Sequence, residues 1–160
     1  MATYQSAQVA AGTPVAAPQT GNTLTALSSV SLTTALAVND VVNLLVIPNG
    51  YAIVGLTLDC TQLDSNASPT LAGLVQDTAA TQVFIPTGTA VGRAATGSVN
   101  FQSQGGSTGY AYAVATSGGN PGTTTLQFKC TAAAATWKNG TMTLAVELQQ
   151  LSGAAGAPFA

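Results

Sequence analysis

Apolar and polar residues alternate along most of this chain with a period of two, the mark of β-strands buried on one face. Val30, Leu32, Leu36 and Val38 share one parity, with Thr34 the exception. Residues 41–47 are apolar throughout except for Asn43, which predicts a strand buried on both faces. Pro48-Asn49-Gly50 then makes a tight turn. In the next strand Ala52, Val54, Leu56, Leu58 and Cys60 fall on the core face, and Tyr51, Thr57 and Asp59 point the other way. Residues 71–75 and 81–85 read as short strands flanking a turn at Asp77, and Val99 with Phe101 marks another.

Tyr110, Tyr112 and Val114 alternate with alanines. Leu126, Phe128 and Cys130 alternate with Thr125, Gln127 and Lys129, and Met142, Leu144, Val146 and Leu148 with Thr143, Ala145, Glu147 and Gln149. The one helical candidate is the alanine-rich run 131–137, too short to be stable alone, which reads as one turn of helix or as a loop. From Val41 onward this makes about eight strands separated by turn signals, which predicts an all-β jelly-roll or Greek-key β-sandwich. In a jelly roll the second and seventh strands are neighbours in one sheet. Counted from Val41, those strands carry Cys60 and Cys130, both on the inward parity. Asn49-Gly50 points instead to a plain hairpin, which keeps a meander or Greek-key sandwich open.

The two ends lack this alternation. Residues 1–23 are rich in Ala, Thr, Gln and Pro and read as an extended N-terminal arm, residues 24–151 as the sandwich, and residues 152–160 as a small-residue tail. Two readings of the arm compete: a frayed terminus, or a segment that clasps a neighbour. For the second, its large side chains Tyr4, Val9 and Val15 are the contact candidates.

Composition changes the picture most through charge. Only 5% of the 160 residues are charged, against about 25% in an ordinary soluble domain. Hydrophobic residues make up 46%, which is enough for a core and argues against disorder. A folded monomer of this mass exposes roughly 7,000 Å², so its few charges leave wide neutral tracts. Such a surface suits a subunit covered by neighbours better than a free monomer. Arg93, Lys129 and Lys138 are scattered, so no cationic patch exists for nucleic acid. Residues 1–11 lack the basic start and apolar run of a secretory signal, which predicts synthesis in the cytoplasm and reduced thiols at Cys60 and Cys130. No apolar run is long enough to span a membrane.

Candidate chemistry is sparse. The chain has no histidine, which removes the commonest general base and metal ligand. Two cysteines alone make no structural zinc site. No Gly-Lys-Ser/Thr phosphate-binding motif occurs. Asp59, Asp64 and Asn66 sit near one loop, as calcium ligands or as solvated loop residues. No pair of carboxylates marks a glycosidase cleft. These absences argue against an enzyme and imply no cofactor. Tyr51, facing away from its strand's apolar side, and Trp137, beside Lys138 in a turn, are the aromatic interface candidates.

One set of motifs carries a family resemblance. Asp40-Val41-Val42-Asn43-Leu44 leads to Ile47-Pro48-Asn49-Gly50-Tyr51 and then Leu58-Asp59. Phe84-Ile85, the run from Gly109 through Tyr112, and a Thr-rich closing strand near Thr141 follow in order. In this the chain resembles the small decoration or cement proteins of tailed-phage heads, over roughly residues 30–150. It departs from them in a long loop around residues 93–108 and in the alanines 132–135. The resemblance implies a β-sandwich or jelly-roll body that often trimerises. It also implies the major capsid protein as partner and a place on the outer surface of the virion. A carbohydrate-binding module or tail adhesin is the competing function, with aromatics stacking on sugars.

Overall fold

The computed structural model describes residues 1–12, 23–48, 51–78, 83–89, 96–101, 112–113 and 123–150. A short strand β1 (Thr3–Gln5) and a single helical turn α1 (Ala7–Ala10) open the chain. The body follows as β2 (Thr23–Leu32), β3 (Val41–Pro48), β4 (Tyr51–Thr61), β5 (Ala72–Asp77), β6 (Val83–Thr89), β7 (Thr96–Phe101), β8 (Tyr112–Ala113), β9 (Thr123–Ala132) and β10 (Gly140–Gln150). The alanine-rich run 131–137, one helical turn or a loop by sequence, finishes β9 and continues as a loop, because backbone pairing with β5 competes better than one isolated helical turn.

Two sheets form. One has the order β1-β3-β9-β5-β6 and the other β2-β10-β4-β7, with β8 pairing beside β4. If β1 and β8 are set aside, the eight remaining strands in chain order occupy places 2-7-4-5 in the first sheet and 1-8-3-6 in the second. That is jelly-roll connectivity. The hairpin reading of Asn49-Gly50 is therefore corrected: β3 and β4, on either side of this dipeptide, lie in different sheets. The strand count from Val41 is corrected too. The first body strand is β2, and the second and seventh strands are β3 and β9, which do pair.

This shift separates the cysteines. Cys60 on β4 and Cys130 on β9 belong to opposite sheets, so they are not on adjacent strands. Both are free thiols facing one hydrophobic core. Burial, with Asp59 adding to it, pushes the Cys60 thiol up to about 12. The expected inward residues Leu56, Leu58, Leu126, Phe128, Leu144 and Val146 are all buried in that core.

Tyr51 is a correction as well. It is 1% exposed and packs in the core, not at the surface. The reason is a bulge in β4. Glu147 pairs with Gly55 but Leu148 pairs with Ile53, so Val54 is the extra residue. The bulge reverses the parity of everything before it. Tyr51 and Ile53 turn inward, and Val54 turns out to 39% exposure. In the same way β2 ends at Leu32, and Val38 sits 52% exposed in the following loop.

Candidate docking surface

The ladder registers gather several loops at one end of the sandwich. Val41 pairs with Lys129 and Ala72 with Ala132 in the first sheet; Gly140 pairs with Leu32 and Met142 with Cys60 in the second. The segments 33–40, 62–71 and 133–139 therefore emerge together. Thr3 pairs with Val41, so the N-terminal segment begins at this same end.

That segment is bound to its own chain by directional contacts. Residues of β1 add to β3 in parallel. The Val41 N–H donates to the Ala2 carbonyl, and the Ser6 N–H donates to the Asn43 carbonyl, each at 3.0 Å. Ser6 Oγ donates to the Leu44 carbonyl at 2.8 Å and also caps α1 by accepting from Val9 N–H. The Val46 N–H donates to Gln8 Oε1. Side chains thus take over the edge of β3 where β1 stops.

Asp40 closes the arrangement. Its carboxylate accepts from the Ala2 and Ala37 N–H groups. Those amides hold it below the usual carboxylate range, against the upward push of burial. Ionised Asp40 is the better acceptor, so arm docking is complete at neutral pH and weakens as the pH falls below about 4. An Asp40→Asn variant at neutral pH should show faster amide exchange at Val41 and Val46 than the parent. Equal exchange rates in parent and variant would remove the latch.

Asp64 organises the two longer loops. It is fully buried, although the sequence reads it as a solvated loop residue or a cation ligand. One carboxylate oxygen accepts from the Thr70, Leu71 and Ala135 amides at 2.8, 3.1 and 3.0 Å. The other accepts from the Asn66 and Thr136 amides at 3.2 and 3.1 Å. Burial pushes the group up, but the amides of Thr70, Thr136, Leu71 and Ala135 outweigh it and hold the carboxyl far below its ordinary value. Its acceptor positions are filled by main-chain donors. Asp59 lies exposed on the outer face of β4, and among the described residues no group of three or more His, Cys, Asp or Glu is placed to hold a metal ion.

The interface candidates are dispersed. Tyr4, beside Val42, is half-buried against the core. Val9 is half-buried on α1, and Val15 lies outside the described residues. Trp137 is half-buried at the loop end, where its main chain bridges to Asp64 and its Nε1–H donates to Asn139 Oδ1 at 3.0 Å. Tyr51 is removed from the surface altogether. Sequence reasoning missed Ser6, Asp40 and Asp64 as organising residues. A usable signal was present at Asp64, since Asp-x-Asn-x-Ser favours successive side-chain turns. Here Asn66 repeats the motif by accepting from Ser68 N–H.

On the outer face of the second sheet the β2 side is neutral, while Glu147 on β10 and Asp59 on β4 are exposed there. Thr25, Leu27, Ser29 and Ser31 project from β2 and meet Glu147, Ala145, Thr143 and Thr141 on β10, with Ser29 and Thr143 hydroxyls 2.7 Å apart. Two of the five carboxylates, Asp40 and Asp64, are consumed by internal bonds, so the surface is poorer in charge than the composition alone suggests.

No protein-family model and no curated protein sequence matches the chain. Solved structures do. A chain of the cyanophage Pam1 capsid asymmetric unit superposes with a TM-score of 0.66 at 25% identity, covering 88% of this chain and 96% of that one. A chain of the capsid of Ralstonia phage GP4 superposes with a TM-score of 0.73 at 20% identity, covering 95% and 100%. The jelly roll described above is thus a fold that this chain shares, over most of its length, with chains of two phage capsids.

Proposed function

We propose that this chain is a virion structural protein of a tailed phage that decorates or cements the outer surface of the head. It binds the major capsid protein as a homo-oligomer, a trimer, through largely non-ionic contacts. The observation that carries this reading is the likeness to a chain of the cyanophage Pam1 capsid unit along 88% of the sequence. The charge distribution supports it. A surface of Thr, Ser, Gln and Ala docks without stripping water from many ions, so the desolvation cost is small. The loop end adds a pre-ordered surface, because Asp64 fixes the loops before any partner arrives. Trp137 on those loops, with Tyr4, Val9 and Val15 of the N-terminal arm, supplies the larger side chains for contact. The burial of Tyr51 takes one aromatic away from any sugar-stacking platform.

The test is co-sedimentation with purified heads stripped of their outer proteins. Saturable binding is expected, and it should barely decrease as salt rises through the physiological range, since few charges are present to screen. Glycan-array binding without attachment to heads would replace this reading with the adhesin.

A further inference from the structure

We infer that the edge of β2 left unpaired among the described residues is a pairing edge for β2 of a second copy of this chain, the two strands running antiparallel about a two-fold axis. The two sheets treat their neighbouring edges differently. In the first sheet, β3 is covered by β1, Ser6 and Gln8, as described above. In the second, β2 stands last in the order β2-β10-β4-β7. α1 reaches β2, yet the arm's hydrogen bonds to the body, among the described residues, go to residues 40–46.

Natural proteins shield a strand edge with charge, proline, a bulge or a short strand. β2 has none of these. It is 10 residues long, Thr-Leu-Thr-Ala-Leu-Ser-Ser-Val-Ser-Leu, without a charge or a proline. Its register with β10 runs from Leu32 to Thr23 without a shift, whereas the β4–β10, β3–β9 and β5–β9 ladders all contain one. Against the described residues the edge therefore offers an unbroken row of backbone donors and acceptors.

The occupant follows from what β2 carries. Antiparallel pairing about a two-fold sets a residue at the axis against its own copy and crowds any charges of one sign near it, and β2 carries no charge. Its alternation also suits a continued sandwich: Ala26, Ser28, Val30 and Leu32 face inward, and Thr25, Leu27, Ser29 and Ser31 face out. Leu27, 69% exposed, lies near the middle of the strand. A two-fold centred near it brings the two copies' leucines side by side and removes both from water. Two-fold closure is also the commonest route to a symmetric oligomer. The pairing joins two second sheets into one continuous sheet. It is independent of attachment to a head, and within an assembly of trimers it links one trimer to the next.

Sedimentation velocity and amide exchange on the full chain, parent and Leu27→Lys, test this. Leu27 is exposed in the single copy, so the substitution should leave the circular dichroism spectrum unchanged. Two lysines set against each other across the axis should break the pair. The parent is expected to reach twice the single-chain mass, or a multiple that L27K halves, with slowed exchange along 23–32. L27K is expected to lose both properties. A parent of single-chain mass at every concentration overturns the inference, as does an oligomer whose mass and β2 exchange are the same in L27K. Loss of head binding in an L27K chain that remains paired would count against the edge assignment too, since the variant's effect would then lie elsewhere.

Discussion

Phe128→Ala should lower the free energy of unfolding by about 3–5 kcal/mol in urea titrations, enough to threaten folding in a domain of this size. Phe128 is fully buried on β9, the strand between β3 and β5, opposite Val42 on one side and Val75 on the other. Its ring fills space that depends on Gly73. A Cβ added at Gly73 would collide with the ring edge. The absence of a side chain on β5 is therefore the complement of a large one on β9, and truncating the ring leaves a cavity bounded by paired strands that cannot collapse inward. Gly73→Ala should also destabilise. In the Phe128→Ala background its penalty should shrink without vanishing, because the Lys129 carbonyl would still lie 2.7 Å from the new methyl. Strictly additive losses would show that the ring and the glycine do not share that space.

Asp64→Ala is the second large effect, expected at about 3 kcal/mol or more. The change strands five main-chain donors, at Asn66, Thr70, Leu71, Ala135 and Thr136, in two loops at once. Water reaches some of them, which keeps the loss below the sum of five orphaned amides. Asp64→Asn keeps the shape but turns an NH₂ toward N–H donors, so it should recover little. The pH dependence has a definite sign. The folded carboxyl titrates below its unfolded value, so its contribution is present above about pH 4 and is lost as the pH falls below that. Asp64→Ala should flatten this acid limb of the stability curve. Trp137, the single tryptophan, bridges to Asp64 and reports the loop by its emission. An unchanged midpoint and an unchanged acid limb would mean that the loops are held by other contacts.

The parts legible in the sequence were those where parity is unbroken. β9 and β10 as far as Gln149 follow their alternation into the core, and the run at β3 is buried much as its apolar character implies. Where the reading failed, a local feature had broken the rule. The Val54 bulge is silent in the sequence, since nothing in Ile53-Val54-Gly55 announces an extra residue, and it carried Tyr51 to the wrong face. β2 falls inside the expected sandwich but outside the strand count from Val41, because Ala26 and Ser28 occupy two of its inward positions and small residues give a weak apolar signal. Missing that strand moved the count by one and put the two cysteines on neighbouring strands. At the loop end the sequence shows a turn at Asp64-x-Asn66-x-Ser68 but not what the carboxylate binds. A carboxylate satisfied by main-chain amides of distant residues leaves no pattern of partner side chains.

The strand order has a consequence for how the chain acquires its shape. β10 lies between β2 and β4, and β9 lies between β3 and β5, so each sheet is completed by inserting a late strand between early ones. Thr25 finds its ladder partner at Glu147, and Val42 finds Phe128. Long stretches of backbone must therefore close before these contacts repay the entropy, and folding driven by such distant partners is slow. During synthesis β2, β3, β4 and β5 exist before the strands that complete their pairing. Throughout that interval apolar strands lack their partners, the state from which chains cross-associate. The scarcity of charge that suits the finished surface gives the nascent chain little electrostatic repulsion with which to keep its copies apart.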